Sequence, residues 1–456
     1  MKQTNPLESF SGNKLRILKA ISEIRRPLGM VAGIISSIKG CAIKTVLPGS
    51  RIGDLVSIGH GRSKCFGEVV GFDESSCTVL LYGETFGLSV GDHVYSLEKP
   101  LSINCGDFLL GRVIDGLGRP IDGRPLPRFS GKIIPVNGGT PSPLERIPIS
   151  EPFETGIKTI DGFMTLGKGQ RIGLFAGSGV GKSTLLGQIS RRAKSDVNVV
   201  CLSGERGREA GEFLEKCLGH EGLKRSIVIC STSDRPPLER VKSVMTASTI
   251  AEYFREQGMD VLLMVDSITR VARAQREVGL AAGEPPVRQG YPPSVFRMLP
   301  EILERSGNSA RGTMTAIYSV LVAGGDMDEP IADEVRGILD GHVVLSRELA
   351  RNNHYPAIDV TAGISRLMPS VVSKEHLASA GRIRKLMGHY ESNRDLIMIG
   401  AYKSGADPLL DEAVKLHEKI ERFLVQESGD ICPMNETVNV LDSLAGGVTS
   451  LSSNPP

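Results

Sequence analysis

Residues 173–188 read GLFAGSGVGKSTLLGQ: an apolar run, a glycine-rich turn, then a lysine opening a helical pattern. Ala176 stands where the strict phosphate-loop pattern has its first glycine, and Gly181, Lys182 and Ser183 complete it. Gly177, Gly179 and Gly181 are predicted to turn backbone N–H groups inward at φ values that other residues resist. The following helix aims its positive end at the same point. Lys182 supplies a point charge for β- and γ-phosphates, and the Ser183 hydroxyl suits Mg²⁺. A second apolar run, VLLMVDSITR, ends in Asp266, the acid expected to hold the cation's water shell. Where many ATPases carry a catalytic glutamate directly after that acid, this chain has Ser267. SGERGRE (203–209) follows another apolar run and offers Glu205 as a group to orient or deprotonate water. Spacing alone leaves Glu205, Arg206, Arg208 and Glu209 equally readable as a solvated, salt-bridging helix start.

Positioning such residues takes a parallel sheet with helical crossovers. QRIGLFAG, VNVVCLSG, SIVICST, VLLMVDS and GTMTAIYSVLVAG are its expected strands, alternating with helical stretches across residues 100–370. Residues 26–99 differ. MVAGIISSI, CAIKTVL, FGEVVGF, CTVLLYG and HVYSL recur between Gly, Asp and Ser clusters, which predicts a small antiparallel barrel or sandwich. Residues 371–443 should be helical. In DPLLDEAVKLHEKIERFLVQE, Asp407 is the expected N-cap, with Pro408 first in the helix and Leu410, Val414, Ile420 and Phe423 on its apolar face. An arm (1–25, with a helical pattern in KLRILKAISEI) and a tail (444–456), expected to be disordered, flank these three domains. The fold class is therefore α/β: an N-terminal small β-barrel, a central P-loop (RecA-like) parallel-sheet domain and a C-terminal helical domain.

At 456 residues the chain needs two or three cores. Its formal net charge of +2 (54 basic against 52 acidic residues) gives no bulk argument for a nucleic-acid or membrane partner. The eight cysteines include no C-x-x-C pair and read as small hydrophobes of a reducing compartment. The N-terminus lacks the apolar core of a signal peptide, and no stretch nears the roughly 18 apolar residues that span a bilayer. The expected location is cytoplasmic.

Taken together, GRVIDGLGRPIDG (111–123), AGSGVGKS, GERGRE, VLLMVDSITR, GEPPVRQGYPPSVF (283–296), DEPIADEVRGILDGHVVLSRELA (328–350) and HYPAIDVTAGISR (354–366) resemble the type III secretion ATPases, relatives of the rotary ATP synthase β subunit. The resemblance covers about residues 27–425. It implies that ATP with Mg²⁺ is held by Gly177, Ser178, Gly179, Val180, Gly181, Lys182, Ser183 and Thr184, with Ser183 and Asp266 on the metal and Glu209 a further acid near it. Glu205 falls at the catalytic base, Arg206 and Arg270 at positions facing the phosphates, and Tyr355 where the β subunit stacks an aromatic on adenine. Arg366 falls at the arginine finger that reaches a neighbouring subunit's ATP. Gly363 departs from the Ser-x-Ser that precedes this arginine in ATP synthases, which puts the loop's rigidity in question.

The implied protein is a homohexameric ATPase powering chaperone release, unfolding and export of proteins, of the injectisome rather than the flagellar branch by the look of DEPIADEVRGILDGH. Implied partners are a regulatory stator protein at the arm, a central stalk protein against GEPPVRQGYPP, membrane proteins of the export gate, chaperones and effector substrates, at the inner-membrane apparatus. Two rivals are a nucleotide-binding ring subunit without turnover, which Glu205 argues against, and an RNA translocase. The latter wants a basic, aromatic-rich N-terminal face; Phe66, Phe72, Tyr82, Phe86 and Tyr95 are too sparse for it, so no nucleic acid is expected.

Overall fold

A computed structural model describes residues 32–59, 65–127 and 130–446. The expected N-terminal arm and residues 447–456 of the tail lie outside the described residues. The chain divides into two compact units, the first ending at Lys99 and the second beginning at Pro100.

The first unit is a closed six-stranded barrel of β1 (Ala32–Lys39), β2 (Ala42–Thr45), β3 (Asp54–Ile58), β4 (Cys65–Phe72), β5 (Cys77–Leu81) and β6 (His93–Pro100), in the order 1-2-5-4-3-6. All its pairings are antiparallel. Alternation along the strands sends Ile35, Ile43, Val56, Ile58, Val69, Val79, Leu81 and Val94 into one core. Closure leaves no strand edge unpaired, which is how so small a β unit avoids pairing with other chains.

The second unit is built on an eight-stranded sheet. Its strands are β7 (Arg112–Ile114), β8 (Arg171–Ala176), β9 (Val197–Ser203), β10 (Ser226–Ser231), β11 (Asp260–Asp266), β12 (Thr313–Leu321), β13 (Gly341–Leu345) and β14 (Ile358–Ser365). In space they run 14-13-8-12-11-9-10-7. Seven strands are parallel, and β14 alone runs antiparallel, against β13. The five central apolar runs expected from the sequence are β8 to β12. Every residue of β9 and β10 is buried, as a sheet covered on both faces requires.

Helices close the core. α1 (Lys182–Arg192) follows β8, α2 (Pro237–Glu256) packs on β9 and β11, and α3 (Ile268–Ala281) leaves β11. At the C-terminus, α4 (Lys374–Ser392), α5 (Pro408–Leu424) and α6 (Met434–Leu444) join the same hydrophobic core as the sheet; Phe163 and Phe423 meet edge to face at 6.2 Å. Asp407 caps α5 through the N–H groups of Leu409 and Leu410, with Pro408 at the first position. The buried stripe of α5 differs from expectation: Val414 is exposed, and Ala413 takes its place with Leu410, Ile420, Phe423 and Leu424. Ala413 falls on the 410–420–424 line of the helix, whereas Val414 lies to its side. Ala445 is also buried in this core, so the first residues of the expected tail are packed.

Candidate functional site

The parallel strands deliver three segments to one edge of the sheet, their carboxyl ends, where α/β folds bind ligands. β8 runs into the 177–181 turn, β9 into Gly204 and Glu205, and β11 into Asp266. Gly179 (φ 78°) and Gly181 (φ 87°) occupy the left-handed region that glycine adopts without strain. Gly177 is not among the positive-φ glycines. Its constraint is space, because a methyl built on it would stand 2.6 Å from Arg347 Nε.

Lys182 is buried and forms ion pairs with Asp266 and, at 3.5 Å, with Glu205 Oε1. Ser319 donates to Asp266 Oδ1 at 2.7 Å. Arg270 reaches Glu205 Oε2 at 2.9 Å and the Gly204 carbonyl at 2.8 Å. Glu205 is itself buried, 7% exposed. Burial above all, then the negative charge of Asp266, pushes its carboxyl up to about 7, against the pull of Lys182 and Arg270. Interaction with the Glu209 carboxylate adds to the rise on Glu205 and lowers Glu209. A carboxyl poised near neutrality is what proton transfer from water calls for.

The structure thus brings together Lys182, Asp266, Glu205, Arg270 and, through Glu205, Glu209. Arg206 does not join them: its exposed guanidinium turns to Glu209 at 2.9 Å. Ser183 and Thr184 are exposed on the first turn of α1. Among the described residues, Glu205 Oε1, Ser267 Oγ and Arg270 Nε are buried side-chain atoms without a hydrogen-bond partner. Unsatisfied polar atoms of both kinds, acceptor and donor, beside a lysine and an aspartate fit a hydrated cation and phosphate oxygens.

Beside the turn lies a cavity of about 540 Å³ lined by Gly179, Gly181, Thr184, Tyr355, Pro356 and Gln426, among others. Tyr355 is 40% exposed, and its ring lies 3.3 Å from where a Gly181 methyl would sit. Gln426, just past α5, is buried and fixed on three sides: its N–H donates to Tyr355 O, its Oε1 accepts from Lys158 N, and its Nε2 donates to Gly156 O, each at 2.9 Å.

Arg366 is elsewhere. β14 is antiparallel to β13 with Ser365 opposite Gly341, and Arg366 N donates to Asp340 O at 2.9 Å. The arginine therefore sits at the amino edge of the parallel strands. The four steps from Gly341 to Leu345, at about 3.3 Å each, put roughly 13 Å or more of strand between it and the phosphate-loop edge. Gly363 belongs to β14, not to a loose loop, and a side chain there would run into the Met164 sulfur. The backbone before Arg366 is held further by Gln170 Nε2 donating to Ser365 Oγ at 3.0 Å. Its exposed guanidinium has no partner among the described residues.

Sequence reasoning missed Ser319, Arg347 and Gln426. A lone polar residue in the apolar run IYSVL was the available signal for Ser319; the other two act across hundreds of positions and leave none.

Comparison with known proteins agrees with this fold. Residues 156–365 match the ATP synthase alpha/beta family, nucleotide-binding domain; residues 35–98 match that family's beta-barrel domain. Residues 372–443 match the T3SS EscN ATPase C-terminal domain. A flagellum-specific ATP synthase of Bacillus subtilis (strain 168) is 48% identical over 417 residues, 91% of this chain and 95% of its own length. The chain belongs to the type III secretion and flagellar export ATPases. A type 3 secretion system ATPase of Xanthomonas euvesicatoria is 49% identical, covering 83% of this ATPase and 85% of that protein. The assembled ATPase EscN of enteropathogenic E. coli superposes with a TM-score of 0.86 at 46% identity, over 91% of this ATPase and all of that chain. EscN has also been solved in complex with its central stalk EscO, and that structure superposes with a TM-score of 0.84. The ATPase acts on a nucleotide, and no helix of its described residues is long and apolar enough to cross a membrane.

Proposed function

We propose that this ATPase works as a homohexameric ring, with each catalytic site completed by a neighbouring copy. The observation that carries the reading is the separation of Arg366 from Lys182, Asp266 and Glu205 by the length of the sheet. One chain presents a cradle and a base at one edge and an unpaired guanidinium at the other. Ring closure would bring the second to the first of the next copy. EscN, 46% identical, is described as assembled and as binding a central stalk, which supports a ring with a stalk protein here, against the 283–293 loop.

In this mechanism Lys182 and the loop N–H groups bind the β- and γ-phosphates. Ser183 and Asp266, with Glu209 behind them, would hold Mg²⁺, which supplies charge neutralisation on the phosphate oxygens. Glu205 orients water and takes its proton; Arg270 fixes Glu205 through the 2.9 Å contact, and Arg206 acts from the rim through Glu209. Tyr355 stacks on the base. Arg366 from the neighbour stabilises charge developing on the transferred phosphoryl, a contribution on the order of 10³–10⁵ in rate.

The organisation this reading needs is an arm (1–25) that docks a stator protein, a barrel crown (26–99), a catalytic domain (100–370) and C-terminal helices (371–443) turned to the export gate, chaperones and effectors, at the cytoplasmic face of an inner-membrane apparatus. Within the family we favour the injectisome branch, on the 328–342 motif. The deciding experiment is phosphate release against protein concentration. A super-linear rise is expected; full specific activity in dilute, strictly monomeric protein overturns the ring.

A further inference from the structure

The phosphate loop is gripped from outside by one short segment, residues 346–356, at both of its ends. At the first end stands Arg347. A methyl on Gly177 would come within 2.6 Å of its Nε, 2.9 Å of its Nη2 and 3.1 Å of its Cζ. The edge of the guanidinium that forks two N–H donors therefore faces the opening turn of the loop. At the second end, the Tyr355 ring lies against Gly181. Among the described residues no carboxylate pairs with Arg347, although it is next to one: Glu348 is taken by Arg394 at 2.7 Å. The segment is in turn tied to the C-terminal helices by that ion pair, by His354 Nδ1 on Glu421 at 3.0 Å and by Gln426 N on Tyr355 O.

We propose that Arg347 is a positioning residue for ATP hydrolysis: acting through Gly177, it sets the opening turn of the phosphate loop, from a segment whose own place is set by the C-terminal helices. This rests on the assignment of the 177–184 loop as the phosphate site. Glycine at 177 leaves the room that lets the exposed guanidinium approach, and its charge adds to that of Lys182 beside the cradle.

The loop meets the phosphates before and during reaction alike, so losing its support raises KM more than it lowers kcat. Steady-state ATP hydrolysis is measured on the full chain for R347A, R347Q, R347K, G177A and G177A/R347A, with K182A as control. R347A and R347Q are expected to raise KM for ATP about tenfold with kcat changed far less, the equivalent of about 1.4 kcal/mol of lost binding. R347K recovers only part of this, because an ammonium has no fork. G177A gives a similar loss alone but little further loss in the R347A background, since both remove one contact. Unchanged KM in R347A and R347Q, or losses that multiply in the double variant, overturns the proposal. K182A that keeps wild-type turnover and KM, where loss of turnover is expected, instead overturns the assignment of the loop, whatever Arg347 does. If R347A fails to fold, R347Q and R347K carry the same comparison.

Discussion

Glu205 offers the sharpest perturbation in the molecule. Its carboxyl is buried beside Asp266, and burial moves it from the ordinary 4.5 up to about 7. If it is the group that takes a proton from water, only the ionised form works. With half-ionisation near pH 7, about nine-tenths is active at pH 8 and about one-tenth at pH 6, so phosphate release should fall roughly tenfold between them. Glu205→Gln keeps the shape and the amide can still face Arg270, but it cannot accept a proton from water. Its turnover should drop by roughly 10²–10⁴ while nucleotide binding persists, and what remains should be flat from pH 6 to 8. The assay is phosphate release at saturating magnesium-ATP across that range, with binding of a fluorescent ATP analogue alongside. A wild-type rate flat with pH refutes the argument from burial. A Gln variant with the same acid limb shows that another group sets it, and one turning over at the wild-type rate removes Glu205 from the chemistry.

The same substitution has a stability signature. Because folding raises this pKa, Glu205 stabilises most below about pH 4.5, and that contribution is lost as pH rises through about 7; the melting temperature of Glu205→Gln should therefore gain on wild type between pH 5 and 8. Lys182→Ala should abolish turnover and weaken ATP binding at least about tenfold by calorimetry, since it removes the ammonium between two buried carboxylates. Inactive Arg366→Ala and inactive Glu205→Gln subunits should recover partial activity when mixed, because each supplies what the other lacks; no recovery with assembly confirmed would place the arginine's role within its own chain. Asp122→Asn breaks a part-buried bidentate contact with Arg112 (2.6 and 2.9 Å) and should cost about 1–3 kcal/mol in denaturant unfolding. Arg112 holds that carboxyl well below its usual range, so the pair's contribution should be full above about pH 4 and fade as pH falls.

What the sequence discloses depends on how local the cause is. Apolar alternation between turn clusters is local, and it locates five of the six barrel strands; β3, DLVSI, is broken by Asp54 and Ser57 and does not stand out. The fully buried runs β8 to β12 are equally plain. β7, β13 and β14 are short or carry Gly and charged residues, and take their strand form from neighbours in the sheet. The phosphate loop, Asp266 and Glu205 are legible because each directly ends a strand. Arg206 faces Glu209 because the helix that begins after it turns its side chain to the rim, a matter of geometry that GERGRE does not encode. Arg347 reaches the loop from about 170 positions away and Gln426 the cavity beside it from about 250, and nothing in their immediate surroundings announces it.

On the ring mechanism proposed above, a sheet whose last strand runs backwards would set the two halves of a reaction at opposite poles of each copy. A newly made subunit, alone in solution, would then hold fuel without burning it, and consumption would begin only where copies stand shoulder to shoulder. No separate inhibitor would then be needed for that restraint; the direction of one eight-residue strand would provide it.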